Sequence, residues 1–332
     1  MSSTEMTAKE PLIRFVKRTD ISRPKMYLIR AVAIVLSLIV AAVVIVCVTG
    51  LNPIEVYKSM FDGAFSSSRR IWITIRDTMV LLCISIALAP AFKMKFWNIG
   101  AEGQMLVGGI VTAGIMIYFG NSVPTSVLIV IMLISSILIG AMWGLLPAIF
   151  KAYWNTNETL FTLMMNYVAI QLTSFFVAKW ENPFGSNTVG IINANTQGGW
   201  FPAIIGQPYL LNVIIVLAVM IGMYIYLGKS KQGYEVAVVG ESENTARYAG
   251  INVKWVIIRT MVISGALCGL AGFIGVAGVD HTISTGTAGG RGFTAIIVAW
   301  MSKFNTYIMF IVSFFFVKGK TYLLLVLKKS PQ

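Results

Sequence analysis

The residues that could do chemistry in this chain are few, and most of them argue against an enzyme. No G-x-x-x-x-G-K-[ST] loop is present, so nucleotide hydrolysis is not expected of this polypeptide itself. There is no H-E-x-x-H, and Cys47, Cys83 and Cys268 lie inside apolar runs without metal-ligand spacing, so neither a metal site nor a disulfide framework is expected. Asp280-His281 is the one acid–imidazole neighbour pair. Sequence neighbours seldom face each other and no nucleophile accompanies them, so a polar helix end explains the pair better than general acid–base work.

Three polar features in apolar surroundings carry more information. In Asn98–Gln104, Gly100 and Gly103 weaken a helix and Glu102 is an ionisable group flanked by apolar residues. Two placements are open. The segment is either a non-helical piece at membrane depth, buried or lining a cavity, or a water-exposed turn with Glu102 beside Lys93 and Lys95. The second feature is Tyr234–Trp255. Its centre reads as one short helix with Ser242 as N-cap, Glu243 in the first turn, Arg247 in the last and Gly250 at the left-handed position after the end. So short a helix is marginal alone and persists only if something holds it; an ordinary solvated loop is the plain alternative. Third, Gly265, Gly269 and Gly272 fall at i, i+4 and i+7, a smooth face for close helix approach, either within the chain or against a sliding or dimeric partner. Asn166, Gln171, Trp97 and Gln104 could hydrogen-bond to or stack on a solute, and each is equally explained as an interhelical bond or an interface aromatic.

The elements that must position these residues are apolar spans. Apolar residues make up 57% of the 332 and charged ones 12%, too few to cover a water-soluble surface. Backbone groups in lipid must pair within the chain, so an all-α, polytopic bundle of about eight to nine spans is expected. After a polar tail, 1–26, the apolar stretches are 27–49, 74–92, a run from about 105 to 119, 125–150, 159–178, 208–228, 256–279, a shorter 292–302, and 305–327. The first is too long for a signal h-region and reads as a retained anchor.

The net charge of +13 follows from the flanks rather than from a nucleic-acid partner. Alternating the spans from a cytoplasmic N-terminus puts Lys9, Arg14, Lys17, Arg18, Arg23, Lys25, Lys93, Lys95, Lys151, Lys229, Lys231, Arg247 and Lys254 inside. Only Lys58, Arg69, Arg70, Lys179 and Arg291 fall outside, a bias that obeys the positive-inside rule. The loop 229–255 is then cytoplasmic and the nearly uncharged 179–207 extracellular.

Several segments occur in one order: Phe96-Trp97-Asn98-Ile99-Gly100-Ala101-Glu102-Gly103-Gln104; Thr156-Asn157-Glu158 with Leu163 to Tyr167; Gly240 to Gly250 with Ala246-Arg247-Tyr248; and Ser264-Gly265-Ala266-Leu267 with Gly269 to Gly272. Together they resemble the permease subunits of bacterial ABC importers for nucleosides, within the superfamily of ribose and branched-chain amino acid permeases. The resemblance covers about residues 30–304, so 27–304 is taken as the permease domain. It implies a multi-pass subunit in the bacterial plasma membrane that binds no cofactor directly. A partner ATPase uses the ATP, a second related permease completes the path, and a lipid-anchored extracellular protein delivers the solute. It also implies that Gly240, Glu243, Asn244, Arg247, Tyr248 and Gly250 couple to the ATPase, with Glu243–Ala249 as coupling helix. Trp97, Asn98, Glu102, Gln104, Asn166 and Gln171 are then candidates for the translocation path. The stretch 305–332, with Lys318-Gly319-Lys320 inside it, departs from the family pattern and is expected to be truncated or altered in frame. The alternatives are a permease for sugars or branched-chain amino acids, or an ion-coupled transporter without an ATPase.

Overall fold

The computed structural model describes residues 23–327; most of the predicted tail 1–26 and residues 328–332 lie outside the described residues. Every regular element described is helical: α1 (Arg23–Thr49), α2 (Pro53–Phe65), α3 (Ser68–Lys93), α4 (Ala101–Phe119), α5 (Thr125–Trp154), α6 (Glu158–Lys179), α7 (Leu210–Lys229), α8 (Lys231–Glu241), α9 (Glu243–Tyr248), α10 (Val253–Gly275), α11 (Arg291–Met301) and α12 (Thr306–Leu327). Two compact units are distinguished, one ending at Ser59 and one covering Met60–Leu327. In the first, α1 exposes Leu36, Ile39 and Val43, and the Tyr57 hydroxyl donates to the Leu38 carbonyl at 2.7 Å.

Among the described residues six helices are long and apolar enough to cross a bilayer: α3 to α7, and α10 with its extension to Asp280. A seventh span results if Val35–Thr49 of α1 and Pro53–Gly63 of α2 are one bent crossing. The expected eight to nine also counted α1, α12 and the run 292–302, which are not among these six. The predicted run 292–302 becomes α11, whose 11 residues reach about 16 Å at 1.5 Å each. That is roughly half the hydrocarbon thickness.

In the second unit α10 is the central helix, with 78% of its apolar window buried against 28% for α5, α6 and α7. Glycine puts it there. A Cβ on Gly265 would strike the Gly140 carbonyl of α5, one on Gly269 the Ser136 carbonyl of α5, and one on Gly272 the Met105 carbonyl of α4. The face Gly265/Gly269/Gly272 thus packs within the chain, backbone against backbone. In lipid, where apolar contact alone drives no association, such close approach supplies the dispersion energy that holds helices together.

Past Gly275 the helix widens into a π-helical turn, Val276–Asp280. That geometry frees carbonyls for other donors. Here Phe201 N–H donates to the Ala277 carbonyl at 3.2 Å and the Asn212 amide to the Gly278 carbonyl at 3.1 Å. The 179–207 interval is pinned to the end of α10 by the Phe201 bond and by Ile192 N–H donating to the His281 carbonyl at 2.8 Å, while Asn212 ties α7 to the same turn.

Candidate functional site

The Asn98–Gln104 segment lies inside the bundle. The Asn98 amide donates to Ser264 Oγ of α10 at 3.1 Å. Ser264 is 11 positions beyond Val253, about 16 Å along the axis. A non-helical backbone at that depth needs every polar group paired, and side chains do the pairing. Gly100 N–H donates to Asn98 Oδ1 at 3.0 Å, and Ile99 N–H to Thr162 Oγ1 at 3.2 Å. Gly103 N–H donates to Asn166 Oδ1 at 2.8 Å, while Asn166 Nδ2 donates to the Ile99 carbonyl at 2.8 Å. Gln104 closes the set against Asn98, Nε2 to Oδ1 at 3.4 Å. Asn98, Gln104 and Asn166 are therefore together and buried, holding the start of α4 against α6 and α10.

Glu102 faces a second break. Its Oε1 accepts from Gly290 N–H at 2.9 Å, just before α11, and its Oε2 is buried with no partner among the described residues. Residues 281–290 therefore descend along α4. His281 begins the descent, the Ile283 side chain lies against Gly109, and Gly290 reaches Glu102. From Gly109 to Glu102 is about 10 Å of helix. Two short helix starts, α4 and α11, meet at one carboxylate inside the bundle. Discontinuous helices of this kind build the solute and ion sites of many transporters.

The remaining path candidates lie elsewhere. Trp97 is 45% exposed, stacks on Trp300 of α11 at 5.6 Å and meets Phe92 edge-on at 5.7 Å. Gln171 is exposed on the outer face of α6, away from the Asn166 network. Thr162, Gly290 and Trp300 belong to this region and were not singled out from sequence, and Ser264 was noted there only as part of a recurring segment, not as a site residue. The short apolar run 292–302 after a Gly/Ser/Thr-rich stretch was the available signal for the α11 break.

At the end of the bundle where α10 begins, α8 and α9 form a compact corner. The sequence predicts one short helix here; the structure has two, joined at Ser242. The second behaves as its residues require. Ser242 Oγ accepts from Thr245 N–H at 3.3 Å. Gly250, at φ +75°, lets Ile251 N–H donate to the Ala246 carbonyl at 2.9 Å and Gly250 N–H to that of Arg247 at 3.0 Å, the paired bonds of a left-handed helix stop. The extra helix, α8, escaped notice because its apolar face is only Val236 and Val239, with Gly240 so close to α3 that a Cβ would strike the Lys93 carbonyl. Val236, Val239 and Ala246 share a small core with Met94, Phe96 and Ile257, which anchors both helices. Glu235 ties α8 to Arg259 of α10 at 3.0 Å. Glu243, Asn244, Arg247 and Tyr248 are left outward, Tyr248 93% exposed. A cleft of about 210 Å³ beside them is lined by Lys95, Phe96, Lys151, Val239, Gly240 and Glu243.

At the opposite end His281 stacks on Trp200, rings 3.8 Å apart and 6° from parallel. Burial, with the positive charge of Arg76 adding to it, pushes this imidazole down to about 4. In the unfolded chain the same group binds its proton near about 6.5. Between those values the unfolded state holds more protons, so stability rises with pH across the window and is lost as pH falls below about 6.5. The thermal midpoint of the purified protein should therefore drop more between pH 7.5 and pH 5 than that of His281→Phe, measured side by side in detergent.

Residues 70–329 match the family described as "Branched-chain amino acid transport system / permease component". The chain belongs to this family. The permease is 31% identical over 275 residues to the guanosine ABC transporter permease protein NupP of Bacillus subtilis, covering 82% of this chain and 78% of that one. The nucleoside ABC transporter permease protein NupB of Lactococcus lactis is 29% identical over 287 residues, 84% of this chain and 78% of the other. The glucose ABC transporter permease protein TsgB13 of Haloferax volcanii is 26% identical over 262 residues, 76% and 68% of the two. No solved structure matches the chain. Family membership accounts for a multi-pass helical membrane subunit.

Proposed function

We propose that this permease is the membrane subunit of an ATP-driven importer for nucleosides in the bacterial plasma membrane. The observation that carries the proposal is the 31% identity, across 82% of the chain, to a permease named for guanosine transport. In this reading α9 faces the cytoplasm and receives a push from a partner ATPase that binds and hydrolyses the ATP. The interval 179–207 faces outward, where a lipid-anchored binding protein delivers solute, and a second related permease completes the path. The helices α1 and α12 then add crossings to the six, for eight in all, with the N-terminus inside. Exposed polar groups on an anchored helix are what a docking contact needs, and Asn244, Arg247 and Tyr248 supply them.

Arg247→Glu tests the coupling assignment. Arg247 pairs with Glu243 at 3.5 Å on an exposed face. Reversing its charge costs the helix only about 0.5 kcal/mol, so insertion should be normal. Across an interface, like charges cost several kcal/mol, and uptake and ATPase co-purification should fall at least about tenfold. Unchanged uptake would remove α9 from the energy relay.

The glucose permease relative supports a second reading, a permease for sugars. Uptake competed by inosine or guanosine decides for nucleosides, and competition by glucose or ribose alone decides for sugars. Uptake that ignores ATP and is abolished by a protonophore would instead mark an ion-coupled transporter.

A further inference from the structure

The descending segment 281–290 exposes polar groups where lipid cannot satisfy them. Ser284, Thr285, Gly286 and Gly289 are exposed, although Ile283 before them lies beside mid-α4 and Gly290 after them bonds to Glu102. Only part of the segment is internally paired. Ser284 N–H donates to Thr287 Oγ1 at 2.9 Å and Thr287 N–H to the Ser284 carbonyl at 3.0 Å. No hydrogen bond among the described residues involves Thr285 or Gly286. Exposed irregular backbone within the hydrocarbon is not tolerated against lipid; it occurs where it is buried in protein or lines water. Charged side chains border the segment but are paired with other groups of the chain. Arg291 is turned back on the chain, donating to the Thr287 carbonyl at 3.2 Å and approaching Asp77 at 4.0 Å, and Glu102 Oε1 is taken by Gly290.

We propose that Ser284, Thr285 and Gly286 line the aqueous solute path within the permease and bind the hydroxyl-bearing ribosyl part of a neutral nucleoside. The inference rests on the reading of the chain as a nucleoside permease. Hydroxyls and free backbone groups can both donate and accept, which suits a polyol. The small side chains also leave the backbone itself as a contact surface.

The experiment uses the whole importer, permease pair with ATPase and binding protein, in membranes. Ser284→Cys and Thr285→Cys are introduced singly after Cys47, Cys83 and Cys268 are replaced by serine or alanine, and each variant is confirmed to assemble. The probe is a membrane-impermeant cationic methanethiosulfonate. Both cysteines should react, while Ile214→Cys, half-exposed on apolar α7, should not. With guanosine at about ten times its Kd, reaction should slow about tenfold, since only the unliganded fraction reacts. Absence of reaction at both positions would overturn the proposal. So would oxidant-driven crosslinking between permeases without reaction, which would mark a subunit contact, or reaction that no transported solute slows. Reaction slowed by glucose but not by guanosine would keep the path and overturn the nucleoside assignment, so the two failures are separable.

Discussion

Gly269→Leu should eliminate the folded permease, leaving no monodisperse protein after extraction and no uptake. Gly269 is in backbone contact with two helices at once. A Cβ there would strike the Ser136 carbonyl and lie 3.0 Å from the Gly140 Cα of α5. From the other side, a Cβ on Gly108 of α4 would be 2.5 Å from the Gly269 carbonyl oxygen and 2.7 Å from its Cα. No rotamer of leucine avoids this, because the clash begins at Cβ, so α5 must move away from α10. Overpacking a well-filled core typically costs about 1–3 kcal/mol where neighbours are flexible side chains. Here the neighbours are helix backbones, and separating α5 from α10 also forfeits the contacts at Gly140, Gly144 and Gly265. The loss should therefore exceed about 4 kcal/mol, a large part of a total of about 5–15. Gly222→Leu is the control: a Cβ there meets nothing within 4 Å, and its thermal midpoint should stay within about 2 °C of wild type. A well-behaved Gly269→Leu protein with normal uptake would mean that α5 and α10 are not in close contact in the membrane.

What was legible in the sequence follows the range of the interaction involved. The start and stop of α9 were readable because Ser242 and Gly250 act on backbone groups within a few residues of themselves. Close packing at Gly265, Gly269 and Gly272 was readable as a spacing, but its partner was not, since nothing local to α10 names Gly140 or Gly108. Depth was the least legible property. Asn98–Gln104 and 281–290 are short polar stretches between apolar ones, the same pattern a surface turn gives. Only the bonds to Ser264 and between Glu102 and Gly290 put them inside the bundle. The difference between Asn166 and Gln171 was within reach. Five positions on a helix is about 140° of rotation, so the two could not share a face, and the structure has one buried and the other exposed.

That difference yields the second large effect. Asn166→Leu should unfold the start of α4, whereas Gln171→Leu should not affect stability. Asn166 bridges two backbone groups, accepting from Gly103 N–H at 2.8 Å and donating to the Ile99 carbonyl at 2.8 Å. Leucine fills nearly the same space and bonds to neither. A buried backbone group left unpaired costs about 1–3 kcal/mol, so the pair sums to about 2–6 kcal/mol at a depth where water is not at hand. Asn166→Asp keeps the acceptor for Gly103 but loses the donor for Ile99, so its destabilisation should be intermediate if the bonding is what matters. The kinetic signature separates this strut from a solute contact. A strut lowers the amount of folded protein, and with it the maximal uptake rate, while KM for the solute stays put. A solute contact raises KM and leaves the thermal midpoint alone. Gln171, exposed on α6, has no bond among the described residues to lose, so Gln171→Leu should keep the wild-type midpoint; a rise in KM there would place it on the path or against the second permease. Should Asn166→Leu instead melt like wild type and raise KM, the Asn166 amide must turn from Ile99 toward the solute during transport, and the start of α4 would have to be held by its other bonds, those of Asn98, Thr162 and Glu102.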